Sequence, residues 1–173
     1  MTRYAKPYAK LPPQTQKMSS EAIFTDAYAV IPQACMTDIV ASNLPHWDKT
    51  RAWIIARPMT GFSETFTQYI VEVSPNGGSK MPEPDADVQG VIFVVDGGIT
   101  LTINGAEHGL TDGGYAFVPA GADWQVANTS DTAATFHWIR KRYEPVNGID
   151  APEAFVTSDK DVAPIPMPDC DEV

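Results

Sequence analysis

Between Val88 and Asn128, apolar residues come in short bursts separated by glycine-rich corners. Val91 to Val95 is a continuous apolar run that ends at Asp96-Gly97-Gly98, residues that turn a chain readily. Ile99, Leu101 and Ile103 then alternate with Thr100 and Thr102, the period of two that marks a half-buried strand. Asn104-Gly105 follows, a dipeptide that tolerates positive φ and so suits a two-residue hairpin. Asp112-Gly113-Gly114 predicts another turn, Tyr115 to Val118 another strand, and Pro119-Ala120-Gly121 a further corner. Short strands at such regular spacing predict an all-β antiparallel sandwich or barrel.

The flanking pattern adds strands to this core. Ala27 to Ile31 reads as a strand stopped by Pro32, and Met36 to Ala41 as a short apolar piece. Arg51 to Arg57 reads as a strand stopped by Pro58 and the turn Thr60-Gly61. Phe66 to Val73 alternates, with Tyr69, Val71 and Val73 on one face and Gln68, Ile70 and Glu72 on the other. Residues 74–87, rich in Gly, Pro and Asp, predict a long loop of the kind that is functional or mobile. Thr135 to Tyr143 is the last strong strand, with Phe136 and Trp138 on one face and His137 and Ile139 on the other. A barrel over residues 24–145 would then lie between two extensions. Residues 1–23 predict an extended, surface-laid arm, and residues 146–173, acidic with four prolines, a tail or linker.

Composition narrows the function. A length of 173 residues suits one domain with a real core. A net charge of -10 argues against nucleic acid as a partner, and Arg140-Lys141-Arg142 is the single basic cluster. No apolar run is long enough to span a bilayer. The first residues lack the apolar centre of a signal peptide, so a cytoplasmic location is expected. Cys35 and Cys170 are too few for a disulfide framework and are expected to be free thiols.

The strings FVVDGGITLTING and GGYAFVPAGADWQVAN resemble the two motifs of a cupin, a small jelly-roll barrel. Gly97, Pro119, Gly121 and Asn128 match that pattern's glycine, proline and asparagine positions. Its metal-ligand positions are not matched. Trp124 stands where the second motif carries a histidine, and the first-motif segment MPEPDADVQG has no histidine. Longer strings, among them TRAWIIARPMTGFSETFTQYIVEVSPNGGS, FHWIRKRYEPV and PEAFVTSDKDVAPIPMP, are similar to the N-terminal half of the (S)-ureidoglycine aminohydrolase family. This resemblance covers nearly all of the chain. It implies a bicupin of allantoin and purine catabolism that hydrolyses (S)-ureidoglycine to (S)-ureidoglycolate and ammonia with a manganese ion. It also implies that manganese and the catalytic groups belong to a second cupin, beginning just after PMP. With Val173 as the last residue, that second barrel is expected to be missing, and the chain to be a truncated form.

Laid on the family's Glu-x-His-x-x-x-His-Gly pattern, this chain offers Glu83, Asp85, Gln89 and Gly90, with Trp124 at the position of a second-motif glutamine. Manganese is held by imidazoles and carboxylates converging from several strands. Two carboxylates and an amide at the barrel mouth would make at best a degenerate site. The preferred reading is a polar loop plus a tryptophan plug, because aromatics commonly fill small barrel interiors. No catalytic residue and no cofactor are therefore assigned to this chain. His137, mid-strand, is expected to be structural and hydrogen-bonded, His108 to be exposed after the hairpin turn, and His46 to line an interface or a surface. Glu64, Glu72 and Glu144 have ordinary surface explanations. The expected function is that of a metal-free N-terminal cupin, inactive alone, that packs on a second cupin domain or a homo-oligomer partner. The alternative is a stand-alone cupin that binds a small nitrogen-rich metabolite without catalysis. A monocupin metalloenzyme using Glu83 and Asp85 is the least favoured.

Overall fold

The computed structural model describes residues 22–25, 27–32, 42–57 and 65–165. The expected apolar piece Met36 to Ala41, the Thr60-Gly61 turn, Glu64, both cysteines and nearly all of the N-terminal arm lie outside them. β1 (Ile23–Phe24) and β2 (Ala29–Val30) form a small separate hairpin. The remaining strands are β3 (Asp48–Ala56), β4 (Thr67–Ser79), β5 (Val88–Asp96), β6 (Gly98–Ile103), β7 (Ala106–Thr111), β8 (Gly114–Val118), β9 (Trp124–Ala127), β10 (Ala134–Arg142) and β11 (Phe155–Ser158). They pair in the order β11-β8-β5-β10-β4-β9-β6-β7, with β3 on the other side of β4, and every pairing is antiparallel. The described residues are thus all-β, as the turn spacing predicts, and form a nearly closed barrel.

β4 is the strand that closes it. Thr67 to Val73 pair with β10, while Gly78 and Ser79 at the far end pair with β9. This crossing carries β4 six residues past Val73, into the segment expected to be loop. Two features let a glycine-rich stretch serve as strand there. Gly78 has φ of 139°, and a Cβ on it would run into the Val126 carbonyl. Asn128 holds the other side, with the Asn76 amide donating to its carbonyl and its own amide donating to Gly77, each at 2.9 Å. Its side chain is buried: Nδ2 donates to the carbonyls of Val73 at 2.9 Å and Thr132 at 2.8 Å. Asn128→Ala is expected to cost about 1–3 kcal/mol by leaving a buried carbonyl unpaired, read as a lower urea midpoint.

The tail expectation also changes. Phe155 to Ser158, inside the segment assigned to a linker, pair with Tyr115, Phe117 and their neighbours on β8. The Phe155 ring stacks on Tyr115 at 5.5 Å and on Phe117 at 6.0 Å, and these contacts fix the strand in an otherwise polar, proline-containing stretch.

Strand register sorts the large sheet into two faces. Val156, Ala116, Ile92, Trp138 and Tyr69 form one inward row, and Val94, Phe136, Val71 and Ala52 another. With Leu101, Ile103, Trp124 and Val126 from the smaller sheet they make one continuous core. Aromatic rings fill its centre. Trp138 lies 5.7 Å from Trp47, 5.5 Å from Tyr69 and 5.9 Å from Trp124. Two outward rows run Phe155, Phe117, Val91, Ile139, Gln68 and Thr157, Tyr115, Phe93, His137, Ile70, and the same face carries Gln89 with Lys141 on one side and Thr135, Glu72 and Arg51 on the other.

Candidate functional site: the barrel mouth

The mouth is built from the segment between β4 and β5, the corner before β9, and the end of β10. β10 presents Phe136, Trp138 and Arg140 on its inward side, because side chains alternate along a strand. Gly90 lies opposite Arg140, and it leaves room for the Trp138 indole, whose Nε1 would be only 3.1 Å from an added Cβ. The Arg140 guanidinium sits over the Trp138 ring, 5.4 Å from its centre. It also pairs with the Glu83 carboxylate at 2.6 Å, where Glu83 keeps 4% of its side chain exposed and Arg140 28%. Glu83 Oε1 accepts a hydrogen bond from the Asp85 amide at 3.1 Å. Burial pushes the Glu83 carboxyl above its ordinary pKa, against the opposing pull of that amide and of Arg140.

The other expected positions separate. Asp85 faces outward to Arg142 at 2.7 Å, and Arg142 also holds Asp87. Trp124 is 6% exposed and packs edge-on against Trp138, with the rings at 73°. Glu83, Asp85 and Trp124 together line a cavity of about 160 Å³. Gln89 does not reach it. Its neighbours Val88 and Gly90 turn inward, so Gln89 lies on the opposite face, paired with Lys141.

These residues do not fit a manganese ion. Glu83 is spent on a guanidinium, Asp85 on another, Gln89 points away, and an indole offers no ligand. Among the described residues, no group of three or more His, Cys, Asp or Glu converges as metal ligands would.

The histidines lie away from the mouth. His137 is half-buried on the outer face, with Nδ1 3.2 Å from Gln68 Nε2. Burial lowers its pKa below the ordinary 6.5. A depressed histidine contributes stability that is full above 6.5 and is lost as pH falls through the lower folded value. A His137→Gln variant is therefore expected to lose less stability than the parent between neutral pH and pH values below that window, as urea melts would show. His108 is half-buried on β7, beside Ile103, Phe155 and Val156. His46 is exposed at φ of 64° and accepts a hydrogen bond from Ser79 Oγ at 2.6 Å. It borders an open groove of about 940 Å³ outside the barrel, lined also by Asn76, Lys80, Thr100 and Gln125.

Arg140 is the residue that sequence reasoning missed at this site. As one of three consecutive basic residues it reads as a charged strand end. The signal available was its phase: two residues beyond Trp138 and four beyond Phe136, it shares their inward face.

Comparison with known proteins agrees with this architecture. The family model for the cupin domain matches residues 69–140. The (S)-ureidoglycine aminohydrolase of Escherichia coli (strain K12) is 27% identical over 110 residues, 64% of this chain and 41% of that protein. That of Arabidopsis thaliana is 33% identical over 106 residues, 61% of this chain and 34% of that protein. Among solved structures, a Pseudomonas aeruginosa protein described as glyoxylate-induced is 51% identical, with a TM-score of 0.82 over 98% of this chain and 61% of that one. The E. coli protein Ylba, 21% identical with a TM-score of 0.73, shares the fold. The chain spans well under half the length of these curated relatives. Residues 69–140 are thus a cupin domain within an all-β barrel, and over about two thirds of its length the chain is similar to (S)-ureidoglycine aminohydrolases.

Proposed function

We propose that this chain is the metal-free N-terminal cupin of a (S)-ureidoglycine aminohydrolase-like protein, with a structural role. One observation carries the reading: the mouth is occupied by a buried Glu83–Arg140 pair stacked on Trp138, with Trp124 packed behind it. Releasing ammonia from a carbon that bears amino and ureido groups needs an electrophile to orient the substrate and a base to activate water. Among the described residues, Glu83 is the one buried carboxylate at the mouth, and its partner is a guanidinium. In this reading, manganese and the base belong to a second cupin, and the present barrel packs on that domain or on another copy. A cytoplasmic location fits it, and no helix among the described residues is long and apolar enough to cross a membrane.

A second reading, a stand-alone cupin that binds a small nitrogen-rich metabolite without catalysis, is favoured by the polar groove beside His46 and Lys80. Elemental analysis of untagged protein separates both readings from a metalloenzyme. Manganese, zinc and iron are each expected well below one per chain. Near-stoichiometric metal that disappears on Glu83→Ala or Asp85→Ala would overturn the assignment.

A further inference from the structure

Three asparagines in the chain are each followed by glycine: Asn76, Asn104 and Asn147. An asparagine in this setting can be attacked by its own chain. Glycine has no side chain to shield its main-chain nitrogen, which reaches the asparagine carboxamide carbon where the backbone between them is free to rotate. The three positions differ in that freedom. Asn76 lies in β4, where its amide donates to the Asn128 carbonyl and the Gly77 carbonyl accepts from the Asn128 amide, each at 2.9 Å. Gly77 is also packed in, since a Cβ on it would stand 2.8 Å from the Asp48 carbonyl oxygen. Asn104 turns the β6–β7 hairpin. Its amide donates to the Asp123 carbonyl at 2.7 Å, and its side-chain oxygen accepts from the Asp123 amide at 3.1 Å. Asn147 has no such anchors. It sits with Gly148 in an exposed turn between β10 and β11, closed by one hydrogen bond from the Ile149 amide to the Val146 carbonyl at 3.1 Å. Gly148 has φ of 78°, as the third residue of a type II turn requires, and a Cβ on it would meet nothing within 4 Å. Val146 and Ile149 on either side are exposed. Among the described residues, no partner holds the Asn147 carboxamide or the Gly148 amide.

We propose that Asn147 is a site of spontaneous modification, losing its side-chain amide to attack by the Gly148 nitrogen, while Asn76 and Asn104 persist. The Gly148 nitrogen bonds to Asn147 Cγ, the Cγ–Nδ2 bond breaks, and ammonia leaves carrying the Gly148 proton. The product is a cyclic imide. Water opens it at Cγ to give aspartate, or at the main-chain carbonyl to give isoaspartate. No electrons are transferred, and water is the sole co-reactant. Either product adds a negative charge to a connection that already carries Glu144, Asp150 and Glu153. Isoaspartate also routes the backbone through the side chain and so lengthens the link between β10 and β11. β11 keeps its place, because Phe155 is anchored by its stacking on Tyr115 and Phe117. The modification goes beyond the structural role proposed above and does not depend on it. It bears on ammonia measurements, since each chain releases ammonia from this position once, whereas turnover would repeat.

Ageing of the purified full chain in warm, mildly alkaline buffer tests the proposal. Cleavage after Lys80, Arg142 and Lys160 places the three Asn-Gly pairs in separate peptides, so mass spectrometry reads each one. Asn147 is expected to convert roughly tenfold faster, or more, than Asn76 and Asn104, because each of those must first break two anchoring hydrogen bonds. Asn147→Gln, whose longer side chain must close a larger ring, should keep its charge on isoelectric focusing over the same period. In urea all three pairs are expected to convert at similar rates, since the next residue is glycine in each. Conversion of Asn76 or Asn104 as fast as Asn147 in the folded chain would overturn the proposal. So would an Asn147 that stays intact while the urea-unfolded chain reacts. A ranking that persisted in urea would do the same, because the fold would then not be its cause.

Discussion

Trp124→Ala is expected to lower folding stability by about 3–5 kcal/mol, the range for deleting a buried large aromatic side chain. The size of the effect follows from position. Trp124 is 6% exposed, belongs to the main core and meets Trp138 edge-on at 5.9 Å. Its neighbour Trp138 is itself braced by Trp47 and Tyr69. With those rings fixed by their own contacts, the space left by Trp124 cannot collapse, and the unfilled cavity adds to the lost transfer energy. Trp124→Phe should recover much of the loss. A denaturant melt reads both variants. A cost within about 0.5 kcal/mol, normal for exposed positions, would mean that Trp124 is a rim residue and that the mouth is open to a ligand.

Arg140→Met is expected to be the next most damaging change, at about 3 kcal/mol near neutral pH. That is the low end for breaking a buried ion pair, because Arg140 keeps 28% exposure. Methionine preserves the packing over Trp138 and removes the charge, leaving Glu83 buried with only the Asp85 amide to support its carboxylate. The pH dependence has a definite sign. Glu83 already has a folded pKa above the ordinary 4.5, and loss of Arg140 raises it further. A group shifted this way contributes stability below 4.5 that is lost as pH rises through its folded value. The deficit of Arg140→Met should therefore shrink on acidification, as Glu83 takes up a proton. Adding Glu83→Gln should recover part of the loss at neutral pH, and a double-mutant cycle measures the coupling. Equal deficits at acid and neutral pH would contradict a buried charged pair.

Much of the barrel was legible in the sequence because its strands alternate and its corners carry glycine. β5, β6, β8 and β10 all fall where the period of two and the Asp-Gly-Gly and Asn-Gly turns place them. The unread parts have separate physical causes. In β7 only Leu110 is buried, so no alternation marks it. The end of β4 is composed like a loop, yet its glycines are what allow it to pass beside β9. β11 depends on ring stacking across to β8, a contact between segments far apart in the chain. At the mouth, the contrast between Trp124 and a cupin's histidine was readable position by position. The Glu83–Arg140 pair was not, because it joins a loop to a distant strand, and the cupin pattern aligns Glu83 with a metal-ligand position while giving Arg140 no place.

The division of labour is tested most directly by ammonia release from (S)-ureidoglycine, with this chain alone and manganese supplied. With Glu83 held by Arg140 and an indole in place of a ligand, release is expected to equal the spontaneous rate at every manganese concentration. Manganese-dependent turnover by this chain alone would contradict it.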